Sequence, residues 1–378
     1  MEIKLKKIII LGAGMVGGAI AADLSKSYSV TSADLNEARL SELKNSFNIN
    51  TIKVDLSDSN QIKNLVNNFD LVIGAVPGFM GFNTLKAVLE AGKDVVDISF
   101  FGEDPFELDE LAKENNVTAI VDCGVAPGCS NIILGFHSTQ MEIEEFECYV
   151  GGLPFKRTLP FQYKAPFSPI DVIEEYTRPA RMVENFKVVT KEALSEPELI
   201  EFDEVGTLEA FNTDGLRSLI KTISAPNMKE KTLRYPGHIS QMKFLKDAGF
   251  FSEVSISFGS SSVKPIELAA KILFPYWKLE ENEKEFTIMR VIVKGNEKGI
   301  SKTFVYDLFD TFNEKTKTSS MARTTGYTCT AAANLLLNKE FTRKGICPPE
   351  YIGMENGCKE KIFSYLSERE IIFKMSIK

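Results

Sequence analysis

The sequence predicts an α/β protein in two parts. The first is a parallel sheet with helices on both faces; the second is an α+β domain on a mostly antiparallel sheet. Three observations predict this. Residues 7–34 read as strand, glycine-rich turn, small-residue helix, strand. Continuous apolar strands then alternate with amphipathic helices to about residue 122. Beyond that point strand-like segments dominate.

The elements follow in order. An apolar run, Ile8 to Leu11, leads into Gly12-x-Gly14-x-x-Gly17 and a helix. Strands are expected at 28–33, 50–54, 70–78 (ending in a Pro-Gly turn), 94–99 and 117–122. Helices are expected at 36–47, 58–68, 79–91 and 105–115. After a Pro-Gly turn at 127–128, capped by Ser130 or Asn131, comes another helix. The second part offers strands at 144–151, 186–190, 199–202 and 205–211. A hairpin joins 286–294 to 302–311 through GNEKG. Its helices are expected at 169–175, 214–223, 237–248 and 265–274. A small-residue helix at 319–338 should return to the first part, with the tail 340–375 closing it. We therefore place a first domain at 1–123, completed by about 319–378, and a substrate and dimerisation domain at 124–318.

The opening stretch has the form of a dinucleotide-binding fingerprint, which makes the first domain a Rossmann-type fold. Gly12 permits a tight turn, Gly14 lets backbone approach a pyrophosphate, and Gly17 lets the helix pack on the sheet. Met15 and Val16 lie between the last two glycines, where the helix N-terminus offers free N–H groups. Asp34, 22 positions after Gly12, ends the second strand. It would accept hydrogen bonds from ribose hydroxyls and repel a 2′-phosphate, so NAD is the expected cofactor. Other strand ends carry Asp55 for the adenine region and Ala75, Val76 and Pro77 for the adenosine half or the nicotinamide ribose.

Composition sets the class. The 378 residues carry a net charge of −8, which disfavours nucleic acid and anionic membranes. No apolar run reaches membrane-span length. Lys4, Lys6 and Lys7 before an uncharged run to Ala22 resemble a signal peptide, but three glycines and the βαβ continuation argue against one. Six cysteines without CxxC pairing and only two histidines give no metal spacing. We expect reduced thiols and a cytoplasmic setting.

Several longer runs carry a resemblance. They are GAGMVGGAIA (12–21), VDCGVAPGCSN (121–131), GGLP (151–154), KAPFSPIDVIEEYTRPAR (164–181), GTLEAFNTDGLRSL (206–219), TLRYPGHISQMKFL (232–245) and MARTTGYT (321–328). Together they resemble the saccharopine dehydrogenase-like family, and within it the lysine 6-dehydrogenase branch. The resemblance implies NAD-dependent oxidative deamination at the ε-carbon of L-lysine, giving 2-aminoadipate 6-semialdehyde, which cyclises to piperideine-6-carboxylate. Saccharopine and carboxynorspermidine dehydrogenases are alternatives within the family. A non-catalytic NAD-binding regulator shares the fold, and a structural assembly protein would not need the fingerprint.

Such chemistry sets demands. The amine must be neutral to release hydride, and the ordinary lysine amine has a pKa of about 10.4. The base is expected among His238, in the Arg-Tyr-Pro-Gly-His turn, and Asp97 and Asp122 at strand ends. The α-carboxylate needs an arginine fork, offered by Arg178, Arg217, Arg234 or Arg323. Thr213, Thr324 and Tyr327 add hydroxyls. Cys123 and Cys129 flank the Val-Ala-Pro-Gly turn and are expected to pack against the nicotinamide. His137, on an apolar helix, reads as a core histidine. The partners expected are a small amino-acid substrate and a second copy in a homodimer.

Overall fold

The computed structural model describes residues 5–165, 169–259, 261–280 and 283–378. The chain forms two compact units. One holds residues 1–139 and 322–370, the other 140–321 and 371–378.

The first unit begins β1 (Lys7–Leu11), α1 (Met15–Leu24), β2 (Ser29–Asp34), α2 (Glu37–Ser46), β3 (Asn50–Lys53), α3 (Ser59–Val66), β4 (Leu71–Gly74) and α4 (Gly78–Glu90). It continues β5 (Val95–Asp97), a 3-10 turn at Pro105–Leu108, α5 (Asp109–Glu114), β6 (Thr118–Ile120) and α6 (Cys129–Ser138). Ile8, Ile9, Ile10 and Leu11 are all fully buried, as a strand covered on both faces requires. The helices start where the sequence supplies acceptors: Asn36 caps α2 and Asp58 caps α3.

The second unit runs β7 (Glu142–Pro154), α7 (Pro169–Thr177), β8 (Ala180–Glu184), β9 (Lys187–Lys191), β10 (Glu198–Phe202), β11 (Gly206–Asn212), α8 (Leu219–Thr222) and β12 (Asn227–Arg234). Then come α9 (His238–Asp247), β13 (Ile256–Phe258), β14 (Ser261–Val263), α10 (Pro265–Trp277), β15 (Glu285–Glu297) and β16 (Ile300–Thr311). The chain closes with α11 (Ser320–Leu337), β17 (Gly345–Cys347), α12 (Pro349–Met354), α13 (Cys358–Ser367) and β18 (Phe373–Ile377).

The first sheet has the order β17-β6-β5-β4-β1-β2-β3, and every pair in it is parallel. The chain moves one way from β1 to β3, then returns to β1's other side with β4. That reversal puts a crevice at the carboxyl ends of β1 and β4, where ligands of such sheets bind. The second sheet has the order β10-β11-β12-β7-β15-β16-β18. It is antiparallel except where β12 runs parallel to β7. Helices α7, α9 and α10 cover one face, their Tyr176, Met242 and Trp277 packing with sheet residues Leu153, Leu233 and Phe286.

Four differences from the sequence reading stand out. The helix expected at 214–223 shrinks to α8, because the Asp214 carboxylate is taken by the backbone N–H and guanidinium of Arg181 and Arg217 sits at φ +51°. Strand β12 was not anticipated, because its two lysines, glutamate and arginine mask the alternation; all four are buried or half-buried. The tail does not close the first unit throughout. β17 adds to the parallel sheet, but β18 pairs antiparallel with β16 in the second. The units also divide after Thr139 rather than at Cys123, so α6 lies with the parallel sheet.

Candidate active site

The glycine loop shows which glycines the protein needs for itself. Gly12 adopts φ +114°, and a Cβ there would overlap the carbonyl oxygen of Ala75. A Cβ on Gly17 would overlap the carbonyl oxygen of Gly12. A Cβ on Gly14 would meet nothing within 4 Å. Gly14 caps α1 without any side-chain acceptor, so the N–H groups of the first turn are left for an anion. Gly14 and Met15 are exposed and Val16 is half-buried. This open cradle at a helix N-terminus fits a dinucleotide pyrophosphate.

Asp34 lies beside it. One carboxylate oxygen accepts from the Ala13 N–H at 2.6 Å, the other from the Asn36 N–H at 2.8 Å. Arg39, in the first turn of α2, donates from Nε to the Ala13 carbonyl at 3.4 Å and pairs with Glu42. The sequence reading did not single out Arg39; its place five residues after Asp34 was the available signal. Asp55 is exposed beyond β3, held below the usual carboxylate range by the Ser57 N–H and hydroxyl. Ala75 donates to the Leu11 carbonyl at 2.9 Å, which fixes it at the switch point; Val76 is buried and Pro77 exposed.

A second group in this unit gathers at the ends of β5 and β6. Asp97 is fully buried and accepts from the Ser99 N–H at 2.8 Å. Its carboxylate fills the space a Gly74 side chain would need. Asp122 is buried in a left-handed conformation at φ +52°. The Cys123 N–H donates to the Asp97 carbonyl at 3.0 Å, tying the two strand ends together. Burial pushes the Cys123 thiol well above its ordinary value and the Cys129 thiol up to about 12. Cys129 Sγ lies 3.2 Å from the Thr328 hydroxyl. Both thiols therefore stay protonated and act as packing groups. On α11, Arg323 is buried and donates to the Arg369 carbonyl at 2.7 Å; Thr324 and Tyr327 are buried beside it in sequence. His137 is buried in α6, its ring edge-on to Phe136.

In the second unit, Arg234 and His238 depart from expectation. The His238 ring is 1% exposed. Its Nδ1 lies 2.9 Å from the Phe161 carbonyl and its Nε2 2.8 Å from the Tyr176 hydroxyl. A carbonyl can only accept, so Nδ1 carries the proton and Nε2 accepts from Tyr176. Burial, followed by the nearby Arg234 charge, pushes His238 down to about 3. His238, expected as a base, is a neutral core histidine with no free ring nitrogen. Arg234 donates to Glu175 at 2.5 Å, Tyr163 at 3.3 Å, Tyr176 at 3.4 Å and the Leu233 carbonyl at 2.9 Å. Its guanidinium also lies 4.3 Å from the Tyr163 ring centroid. That fork, expected for a substrate carboxylate, is consumed inside the core. Tyr163, Glu175 and Tyr176 were missed as its partners, although the last two stand in the IEEYTRPAR run.

The other expected residues of this unit separate into two places. Arg178 directly follows α7, about a quarter exposed, and pairs with Glu174 one turn earlier. Thr213 and Arg217 are buried around the turn from β11 to α8, with the Thr213 hydroxyl 3.0 Å from that of Thr232. Gly215 in this turn packs against Glu230, leaving no room for a side chain. Among the described residues no group of His, Cys, Asp or Glu gathers as a metal site. No described helix is long and apolar enough to cross a membrane.

Comparisons agree over both units. Residues 8–120 match the model of the saccharopine dehydrogenase NADP binding domain, and 121–372 that of the saccharopine dehydrogenase C-terminal domain. The chain is 26% identical over 288 residues to saccharopine dehydrogenase [NADP(+), L-glutamate-forming] of Pyricularia oryzae, covering 71% of this chain and 63% of that protein. It is 26% identical over 251 residues to the mitochondrial alpha-aminoadipic semialdehyde synthase of Mus musculus, covering 62% of this chain but 27% of that one. The match thus spans about a quarter of that mammalian protein's length. Apo saccharopine dehydrogenase (L-Glu forming) from Saccharomyces cerevisiae has the same fold, with a TM-score of 0.80 at 18% identity over 99% of this chain and 100% of that one.

Proposed function

Since this chain belongs to the saccharopine dehydrogenase family, we propose that it is a nicotinamide-dependent dehydrogenase acting on the ε-C–N bond of L-lysine. The observation that carries the reading is the open cradle at Gly14 beside Asp34, in a chain whose two halves both match this family. Bound there, the nicotinamide would take hydride from the carbon bearing the amine. L-lysine, NAD⁺ and water then give 2-aminoadipate 6-semialdehyde, ammonium, NADH and a proton.

NAD is the proposed cofactor because the Asp34 carboxylate, at the end of β2 and bonded to the Ala13 N–H, would accept from ribose hydroxyls and repel a 2′-phosphate. The amine end falls to Asp97 and Asp122, since His238 has no nitrogen to offer. Their role is to hold and orient the amine, while the proton leaves to water. The α-carboxylate needs an arginine other than Arg234, which is spent on Glu175 and the two tyrosines. A reducing, cytoplasmic setting fits six buried thiols without a disulfide. The names of the relatives favour a second reading in which saccharopine, a lysine derivative substituted on the same nitrogen, is oxidised.

The test is reduced-cofactor formation with L-lysine and with saccharopine, each with NAD and NADP. Turnover of lysine with NAD supports the proposal. Turnover of saccharopine alone supports the second reading, and turnover of neither removes both.

A further inference from the structure

The Arg39 guanidinium rests on the glycine loop, and three contacts put it there. Asn36 caps α2 by accepting from the Ala38 and Arg39 N–H groups at 3.1 and 3.2 Å, which fixes Arg39 in the first turn. Arg39 Nε reaches back to the Ala13 carbonyl at 3.4 Å. Its Nη2 lies against α1, 3.5 Å from where a Cβ on Gly18 would stand. Ala13 is shared, since its N–H donates to Asp34 at 2.6 Å while its carbonyl accepts from Arg39. One residue of the loop thus carries a carboxylate on its N–H and a guanidinium on its carbonyl.

Those two groups act on a dinucleotide in opposite senses. A carboxylate at the end of β2 accepts from ribose hydroxyls and repels a 2′-phosphate. A guanidinium attracts that phosphate, because its fork matches the phosphate oxygens and its charge is permanent. Glu42 stands three residues after Arg39, on the same face of α2, and its carboxylate pairs with Arg39 Nη1. The Glu42 side chain is 57% exposed, and among the described residues Arg39 is its only ion-pair partner.

We propose that Glu42 is a specificity-determining residue for the cofactor: paired with Arg39, it occupies the cation that a 2′-phosphate would need. The proposal rests on the glycine loop being a dinucleotide site. Selection against NADP then comes from two carboxylates that act differently. Asp34 repels the phosphate directly, and Glu42 takes its counterion. Their weights differ as well. An exposed pair such as Arg39 with Glu42 is worth a factor of about five at most. Glu42 therefore tunes a preference that Asp34 sets.

The experiment measures NADH and NADPH binding to the full chain by fluorescence titration at one low ionic strength, where exposed charges are least screened. The readout is the ratio of the two dissociation constants, which should favour NADH in the wild type. Glu42→Gln keeps the size of the side chain and removes its charge. Because residue 42 is exposed, circular dichroism should not change, and the ratio should move toward NADPH by about two- to fivefold. The double variant Arg39→Met with Glu42→Gln should lose that gain, since no freed guanidinium is left to meet the phosphate. Displacement of NADH by 2′,5′-ADP and by ADP should show the same shift, which locates it at the adenosine half. An unchanged ratio in Glu42→Gln overturns the proposal, as does a wild type that already prefers NADPH. A gain that survives in the double variant overturns it too, because the effect is then plain loss of a negative charge. A wild type that binds neither cofactor overturns the dinucleotide site itself, and this proposal with it.

Discussion

The Tyr176 hydroxyl donates to Nε2 of His238 at 2.8 Å, and the same oxygen accepts from Nε of Arg234 at 3.4 Å. A single phenol thus links a histidine that stays neutral to an arginine that stays charged. The link is inside the core, so the histidine's titration affects folding rather than chemistry.

The first prediction follows from that titration. Unfolded, the His238 ring binds a proton near its ordinary value of 6.5; folded, only near 3. Between those values the unfolded state holds the extra proton. Native stability should therefore fall as pH drops below about 6.5, by up to ~1.4 kcal/mol per pH unit. Denaturant melts at neutral and mildly acidic pH should show this loss in the wild type and less of it in His238→Gln. Tyr176→Phe leaves Nε2 buried without a donor and should cost about 1–3 kcal/mol.

Turnover should not follow the same residue. The reactive amine is neutral and has an ordinary pKa of about 10.4, so the lysine-oxidising rate should climb toward alkaline pH. A pH–rate series with lysine deuterated at Cε should give His238→Gln the wild-type acidic limb. A flattened limb in that variant would return the base role to His238.

The glycine loop separates folding from binding. Gly14→Val should stay folded and melt close to the wild type, because a Cβ there meets nothing within 4 Å. Its titration with reduced cofactor should show no binding. Gly12→Ala and Gly17→Ala should instead lose stability, since each added methyl overlaps a backbone carbonyl.

Cofactor choice turns on Asp34 and Arg39. Asp34→Ser should weaken NADH by about 1.5–3 kcal/mol, the worth of hydrogen bonds to a charged group. It should strengthen NADPH, since Arg39 already stands in the next turn. Fluorescence titration of both cofactors reads the ratio; equal affinity of the wild type for the two would remove Asp34 as the selector.

The arginines should divide by environment. Among Arg178→Ala, Arg217→Ala and Arg323→Ala, at least one should raise KM for the amino acid while leaving that for the cofactor unchanged, a loss of about 2–5 kcal/mol. Arg234→Ala should behave otherwise. It leaves Glu175 without its charged partner and should destabilise the protein by about 3–5 kcal/mol. Thermal melts alongside the kinetics distinguish the two classes.

By itself the sequence determined the parallel sheet, the glycine loop and the acid that ends β2. These features are mostly local: Gly17 is shaped by Gly12 and Asp34 by Ala13 and Asn36, all within a short stretch, although Gly12 also packs on the distant Ala75. Its antiparallel second sheet was legible too, through the long hairpin of β15 and β16. The tertiary structure decided what the polar residues of the second unit do. His238 meets Tyr176 and Phe161 across 62 and 77 residues of chain, and Arg234 meets Glu175 across 59. β18 likewise finds β16 rather than the first sheet. Residue type shows that an arginine can grip a carboxylate. Whether that carboxylate is a ligand's or Glu175's depends on which side chains the fold brings within hydrogen-bonding distance, and on how much water it leaves around them.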